Sequence, residues 1–423
     1  MIIQKHTFKN GLRLINFKRE NIETATIMAM SGCGSRYENN QEAGISHFLE
    51  HLVFKGTQKR PTPIKIAETI DSIGGETNAF TGKEYTGYYA KVDKDHFKIA
   101  LDFVSDIYQN ALLKSEDTER EKGVIIEEIN LYQDTPIHYI LSMAEEVLWP
   151  KTNLGRDIIG FKKSVQGLDN KKIKSYLEKF YTGPNTIVGI VSPFDLKDIQ
   201  EKIWQKFKDL SPLPRGQAQY TPAESPKKTF FKLKFKETDQ AHLAIAINTP
   251  SFNDQKYYTL EVINAILGAN MSSRLFSRIR EQLSLGYLVR SHFDSYADTG
   301  ALVIQGGLKT DKIKIAIKEI IKELNKLKEK EISDAELKKG KEYLLGTLAL
   351  EKEKSEEVLA DFLHREFYQK NPVDFDGEEK RIKKVTKKDI LEFSREFFVN
   401  HNLNGALIGP YKDSKEFETL LKF

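Results

Sequence analysis

An internal repeat constrains the fold of this chain more than any other feature of its sequence. Residues 172–195, "KIKSYLEKFYTGPNTIVGIVSPFD", are similar to residues 389–413, "DILEFSREFFVNHNLNGALIGPYKD". Equivalent residues keep a constant offset of 217 positions: Ile173 with Ile390, Phe180 with Phe397, Asn185 with Asn402, and Pro193 with Pro410. A period of half the chain predicts two similar domains, because solenoid repeats are only about 20–50 residues long.

The length and the turn signals suggest where these domains begin and end. A chain of 423 residues is too long for one ordinary hydrophobic core. We expect a first domain at 1–213, a linker rich in Pro and polar residues at 214–228, and a second domain at 229–423. Both halves mix strand-like runs with long helical patterns that do not alternate one for one, which favours an α+β fold.

The segment "GISHFLEH" at 44–51 contains the pattern His-x-x-Glu-His, formed by His47, Glu50 and His51. On a helix each residue advances about 100°, so all three side chains share one face. Two imidazoles one turn apart can bind a single metal ion. Glu50 stands beside them, where it can accept a proton from water activated by that metal. The order is the reverse of the His-Glu-x-x-His pattern known from zinc proteases.

A third metal ligand is needed, and acidic residues of a later helix are the candidates. Residues 115–134 are predicted to be helical, because Ser115 can cap the start and Pro136 follows the end. Glu121 and Glu128 are two turns apart and share a face, so one can bind the metal while the other orients a ligand. Spacing alone does not choose among Glu121, Glu127 and Glu128.

Four segments of the chain resemble the pitrilysin, insulysin and mitochondrial processing peptidase family of zinc metallopeptidases. They are "GSRYE" at 34–38, "GISHFLEHLVFKGT" at 44–57, "GGETNAFTGKEYTGYYAKV" at 74–92 and "SSRLFSRIREQLSLGY" at 272–287. The chain is most similar to the short, two-domain bacterial processing-peptidase type. The resemblance implies two homologous α/β-sandwich domains, each a mostly antiparallel sheet covered by helices.

The same resemblance assigns residues to a zinc site. It implies one Zn²⁺ per chain held by His47, His51 and Glu128, with Glu50 as the general base of peptide-bond hydrolysis. It also makes Glu121 a catalytic residue that supports His51 or its helix.

Residues that bind substrate are implied in both halves of the chain. Asn78, Ala79 and Phe80 match the family's substrate-facing edge strand, to which an extended peptide can add by main-chain hydrogen bonds. Arg280 and Tyr287 match an Arg–Tyr pair, seven residues apart, that orients the substrate and can stabilise the oxyanion.

The family's working unit has four domains around a closed chamber, whereas this chain supplies two. We therefore expect a homodimer, or a pair with a homologous chain, that admits peptides and unfolded segments. The alternative is a non-catalytic scaffold or partner subunit of a heterodimeric processing peptidase. The segment 267–276, "LGANMSSRLF", has no glycine run of the kind found in the non-catalytic processing subunit, which favours the catalytic type.

Composition excludes several other classes of function. The formal net charge of +4 is small for this length and does not favour nucleic-acid binding. Cys33 is the only cysteine, so an intrachain disulfide is excluded. No run approaches 18 apolar residues, so neither a membrane span nor membrane binding is predicted. A cytoplasmic location is the default expectation.

Overall fold

The computed structural model describes residues 2–213, 222–223, 228–369, 372 and 374–423. These residues form eleven strands and fifteen helices. The strands are β1 Ile2–Thr7, β2 Arg13–Lys18, β3 Thr24–Ser31, β4 Glu76–Thr81, β5 Thr86–Asp93, β6 Thr186–Ser192, β7 Phe231–Phe235, β8 Gln240–Thr249, β9 Gly286–Ser295, β10 Gly300–Lys309 and β11 Leu403–Gly409. The helices are α1 Ile45–Leu52, α2 Pro63–Asp71, α3 Phe97–Gln109, α4 Ser115–Asp134, α5 Pro136–Leu148, α6 Lys162–Gln166, α7 Asn170–Phe180, α8 Leu196–Phe207, α9 Tyr257–Leu267, α10 Ile313–Glu329, α11 Asp334–Glu351, α12 Ser355–Tyr368, α13 Phe375–Lys384, α14 Lys387–Phe397 and α15 Lys415–Glu418. A further segment, Phe276–Gln282, is a π-helix.

The first compact unit is built on a six-stranded sheet with the order β1-β2-β6-β3-β5-β4. Only the β2–β6 pair is parallel. Strand β3 is buried along almost its whole length because helices cover both faces of the sheet. Ala25 and Ile27 join the core beside α3, while Thr26 on the opposite face hydrogen-bonds Ser355 of α12 at 2.6 Å. The strand β4 ends the sheet, so its outer edge has no neighbouring strand among the described residues.

The second compact unit repeats this plan with five strands in the order β7-β11-β8-β10-β9. Its one parallel pair, β7–β11, corresponds to β2–β6 of the first unit. Helix α14 and strand β11 begin 217 residues after α7 and β6, as the sequence repeat predicts. The prediction of two homologous α+β domains with mostly antiparallel sheets covered by helices is therefore confirmed.

Each compact unit also contains a segment from the other half of the sequence. The first unit consists of Met1–Asn130, Asp157–Tyr220 and Glu351–Pro372, and therefore includes α12. The second consists of Leu131–Arg156, Thr221–Leu350 and Val373–Phe423, and includes α5. The expected domains, 1–213 and 229–423, are continuous in sequence. Most of the expected linker, 214–228, lies outside the described residues.

One finding bears on membranes. No helix within the described part of the chain is both long enough and apolar enough to cross a bilayer.

Candidate active site

The helix α1, which carries the His-x-x-Glu-His pattern, begins at a tightly fixed point. The buried carboxylate of Glu38 accepts hydrogen bonds from the backbone N–H groups of Gly44 at 2.8 Å and Ser46 at 2.9 Å. An acidic group at a helix N-terminus satisfies donors that otherwise have no partner and interacts favourably with the helix dipole. Gly44 has φ of 91°, and a Cβ there would lie 2.5 Å from the carbonyl oxygen of Ile159. Any other residue at this position would be strained.

His47, His51 and Glu128 converge on one point in the first unit. One potential ligand atom from each residue lies within 4.8 Å of the others. The Glu128 Oε2 atom is 3.7 Å from His47 Nε2 and 3.6 Å from His51 Nε2. Two imidazole nitrogens and one carboxylate oxygen form a donor set that zinc favours, and three protein ligands leave a fourth position for water. The chemistry of these residues therefore fits a catalytic zinc ion.

Glu121 orients His51. Its Oε1 atom lies 2.8 Å from His51 Nδ1, and its Oε2 atom lies 2.7 Å from Lys55 Nζ. In the neutral tautomer whose Nδ1 atom donates to this carboxylate, the unprotonated Nε2 atom of His51 faces Glu128 at 3.6 Å. Burial alone would raise the pKa of Glu121, but the hydrogen bonds from His51 and Lys55 outweigh it and hold the pKa below its ordinary value.

The two histidines differ in their electrostatic surroundings. Burial, with a smaller contribution from the neighbouring His51, lowers the pKa of His47 to about 4, so the ring is neutral at neutral pH. Burial also acts to lower the pKa of His51, but the hydrogen bond with Glu121 and the nearby carboxylates raise it overall. A neutral imidazole is the form that binds a metal ion, so His47 is already prepared for this role.

Glu50 lies on the same helix, beside the histidines. Burial raises its pKa, and a hydrogen bond from Thr81 opposes that effect. The Thr81 Oγ1 atom donates to Glu50 Oε2 at 2.6 Å. A carboxyl group whose pKa is raised by burial is suited to exchange protons near neutral pH.

The three residues expected to bind substrate, Asn78, Ala79 and Phe80, lie on the edge strand β4. Within the described part of the chain, strand β4 pairs with β5 along one edge and with no strand along the other. The Asn78 Oδ1 atom accepts a hydrogen bond from the backbone N–H of Ala79 at 2.9 Å. The ring of Phe80 packs edge-on against Tyr85, with centroids 5.8 Å apart.

Arg280 and Tyr287 lie together in the second unit. The Arg280 guanidinium stands over two rings, 4.5 Å from the centroid of Tyr287 and 4.7 Å from that of Phe276. Its Nη1 atom donates to the backbone carbonyl of Tyr287 at 3.4 Å. The Tyr287 side chain is 73% exposed, so it is available to a ligand.

Two residues of the site do not appear in the sequence-based prediction. Lys55, which pairs with Glu121, lies four residues after His51 but beyond the end of α1 at Leu52, so helical spacing does not indicate the contact. Thr81 contacts Glu50 from a strand 31 residues away, and no local pattern indicates that contact.

Comparison with known families gives two consecutive matches. Residues 15–162 match the family model described as insulinase, peptidase family M16, and this region contains all three converging ligands. Residues 167–344 match the model described as peptidase M16 inactive domain, and this region contains Arg280 and Tyr287.

Individual relatives extend the similarity over most of the chain. The uncharacterised zinc protease YmxG of Bacillus subtilis is 34% identical over 353 residues, covering 82% of this chain and 84% of that protein. A protease from Helicobacter pylori has a similar structure, with a TM-score of 0.90 and 23% identity, covering 97% of this chain and all of the other. A structure described as a peptidase M16 inactive domain, from Pseudomonas fluorescens, gives a TM-score of 0.87 and 16% identity, with coverage of 97% and 98%.

Proposed function

Because the chain belongs to peptidase family M16, the insulinase family, we propose that it is a zinc-dependent endopeptidase that hydrolyses peptides and unfolded polypeptide segments. The observation that carries this proposal is the convergence of His47, His51 and Glu128, with Glu50 beside them. Similar proteins that are named zinc proteases support the metal.

In this proposal His47, His51 and Glu128 hold one zinc ion per chain. A zinc ion in such a site lowers the pKa of water and polarises the scissile carbonyl. Glu121 holds His51 in the tautomer that leaves Nε2 available to the metal.

Glu50 moves the proton of the reaction. Its Oε2 atom already accepts the Thr81 hydroxyl, so we assign Oε1 as the atom that takes a proton from the attacking water. The same carboxyl then gives the proton to the nitrogen of the leaving amine.

Substrate is proposed to add to the outer edge of β4 at residues 78–80, where main-chain hydrogen bonds would hold an extended peptide. Such binding depends on backbone shape more than on side chains, so broad sequence tolerance is expected. Arg280 and Tyr287 are assigned to orient the peptide and stabilise the oxyanion.

We also propose that two chains form a closed chamber, as a homodimer or with a homologous chain, in the cytoplasm. A chain that carries both the zinc motif and the Arg–Tyr pair supports the homodimer, because each copy can contribute to a complete site. A chamber would exclude folded proteins and admit peptides.

The second candidate is a non-catalytic partner subunit of the same fold. The inactive-domain description of the family model at 167–344 favours it. The complete set of His47, Glu50, His51 and Glu128 argues against it, because a scaffold has no need of a general base.

The deciding experiment compares the zinc-loaded wild type with zinc-loaded Glu50→Gln on a quenched peptide of about twenty residues. We expect Glu50→Gln to keep one zinc ion per chain by metal analysis and to lose at least about 100-fold in kcat. Glu119→Gln, which changes an exposed acid of helix α4, serves as the control and should match the wild type.

Two outcomes would count against the proposal. Equal activity of wild type and Glu50→Gln would refute the assigned mechanism. Inactivity of the wild type over a set of unrelated peptides, with zinc bound, would favour the partner-subunit function.

A further inference from the structure

The hydrogen bond between Thr81 and Glu50 joins the strand proposed to bind substrate to the proposed general base. Thr81 is the last residue of strand β4, and Glu50 lies in helix α1. The bond, at 2.6 Å, is the short kind that a hydroxyl donor forms with a carboxylate. It fixes one carboxylate oxygen of Glu50 in a half-buried setting, where rotation of the side chain is otherwise available.

Thr81 itself is held in place by the turn that follows it. The backbone N–H of Ser35 donates to the carbonyl of Gly82 at 3.2 Å, and that of Arg36 donates to the carbonyl of Lys83 at 2.8 Å. The Arg36 guanidinium also pairs with the Glu84 carboxylate at 2.6 Å, and both side chains are fully buried. Breaking such a buried pair is costly, so the end of β4 is anchored.

The approach of these two segments requires a glycine. A Cβ atom at Gly34 would lie 2.3 Å from the carbonyl oxygen of Gly82, which is a severe steric clash. The backbone contact between 34–36 and 82–83 is therefore possible only because position 34 has no side chain.

The same short segment also fixes the helix that carries Glu50. Glu38, two residues after Arg36, caps the N-terminus of α1 through Gly44 and Ser46. Residues 34–38 thus hold both elements that the Thr81–Glu50 bond connects. This gives the "GSRYE" segment a physical role: it sets the position of the base relative to the edge strand.

From this geometry we propose that Thr81 is a positioning residue for Glu50. Its hydroxyl occupies Oε2 and turns Oε1 toward the water that is deprotonated. Because Thr81 ends the strand to which the peptide adds, the docked peptide and the base share one rigid frame. This inference rests on the proposed peptidase function and adds a residue to it.

The chemistry predicts which kinetic constant changes when the hydroxyl is lost. Peptide binding uses the backbone of β4, which a change at the Thr81 side chain leaves intact. Proton transfer needs the base in place, and a displacement of about 1 Å can cost up to about 100-fold in rate. Removal of the hydroxyl should therefore lower kcat and leave KM nearly unchanged.

The experiment uses three variants of the full-length, zinc-loaded protein and the quenched peptide. Thr81→Val, which removes the hydroxyl and keeps the shape, is expected to lower kcat by about 10- to 100-fold, with KM within about twofold of wild type. Thr81→Ser, which keeps the hydroxyl, is expected to remain within about threefold of wild type. All variants should retain one zinc ion per chain.

Thr86→Val is the matched control. Thr86 stands opposite Thr81 in the β4–β5 register, and its hydroxyl donates to the backbone carbonyl of Cys33 at 2.9 Å. The substitution removes a hydroxyl bond from the same hairpin without touching Glu50. It is expected to lower stability while leaving kcat near that of wild type.

A second measurement tests the contact without any activity. In metal-free protein, the lowering of the urea midpoint by Thr81→Val is expected to be smaller in a Glu50→Ala background than in the wild-type background, because the bond is already absent there. An equal shift in both backgrounds would overturn the inference even if the protein cleaves no peptide.

The kinetic outcomes are also decisive. Any one of three results would overturn the positioning role. The first is a kcat of Thr81→Ser as low as that of Thr81→Val. The second is a kcat of Thr86→Val as low as that of Thr81→Val, and the third is loss of zinc from Thr81→Val. A wild type that is inactive on every peptide counts against the proposed function alone, because the urea comparison still decides whether Thr81 holds Glu50.

Discussion

At the scale of single residues, we expect Glu121 to determine how tightly the proposed site holds a metal. Its carboxylate connects His51 to Lys55, and these two partners keep its pKa low despite burial. We expect Glu121→Ala to weaken zinc binding by about 10- to 100-fold, because His51 loses the acceptor that fixes its tautomer and ring orientation. Competition with a chromogenic chelator would measure the change.

The control for that prediction lies on the same helix. Glu119→Ala removes an acidic side chain of α4 that is 69% exposed and pairs with Lys122, so zinc affinity should stay within about twofold of wild type. Equal weakening by both variants would mean that the overall negative charge of α4, and not the contact with His51, governs affinity.

Residue spacing predicted part of this site and could not predict the rest. The common helix face of His47, Glu50 and His51 follows from a spacing of three and four residues. Glu121 and Glu128 share a face two turns apart, so only the fold separates them: Glu121 reaches His51 Nδ1, and Glu128 reaches the two Nε2 atoms. The assignment of zinc to these residues stays a prediction.

At the scale of elements, local signals located the helix α4 and indicated strands in both halves of the chain. Helix α4 spans Ser115–Asp134, the range predicted from Ser115 at its start and Pro136 after its end. The π-helix at Phe276–Gln282 was not predicted, because it keeps the same local composition as an α-helix. Such irregular helices often occur at functional sites.

The π-helix supports a prediction about Arg280. Phe276, at its start, and Tyr287 place rings within 5 Å of the Arg280 guanidinium. A cation–π contact at a partly exposed site contributes about 0.5–1 kcal/mol. We expect Phe276→Leu to lower kcat/KM by about two- to fivefold, with zinc content unchanged, because the side chain proposed to orient the substrate, Arg280, is then held less firmly.

A matched variant separates this effect from a general loss of packing. Phe293→Leu removes a ring that packs edge-on against Tyr257 at 5.7 Å in the same unit, away from Arg280. Its kcat/KM should remain that of wild type. Equal losses in both variants would show that Phe276 acts only through stability.

At the scale of the whole molecule, each unit contains a helix from the other half of the sequence, an exchange of helices that the sequence does not predict. The repeat correctly predicts two similar folds, yet it does not show that α12 belongs with the first sheet and α5 with the second. These placements depend on contacts between residues far apart in the chain. Phe17 and Phe362, for example, pack edge-on with centroids 5.0 Å apart.

The exchange means that helix α12 completes the core of the first unit. Leu359, Phe362 and Leu363 are almost fully buried, and a Cβ on Gly189 of strand β6 would lie within 2.7 Å of Leu363. His364 on the same helix contacts the buried Glu84 at 3.1 Å. Burial contributes roughly 1.5–3 kcal/mol for each large apolar side chain. For Leu359, Phe362 and Leu363 together, this contribution is comparable to the free energy of unfolding of an entire domain, about 5–15 kcal/mol.

A fragment of residues 1–213 should therefore fail to fold alone, even though it contains every proposed zinc ligand. It lacks α12, and it exposes the face of α5 that Ile140 and Leu148 bury in the second unit. We expect no cooperative urea transition for this fragment, with binding of a dye that reports exposed apolar surface. Co-expression with residues 214–423, which supply α12, should restore a cooperative transition and one zinc ion per pair. A fragment 1–213 that unfolds cooperatively near the midpoint of the full chain would instead show that the first unit is stable without the exchanged helix.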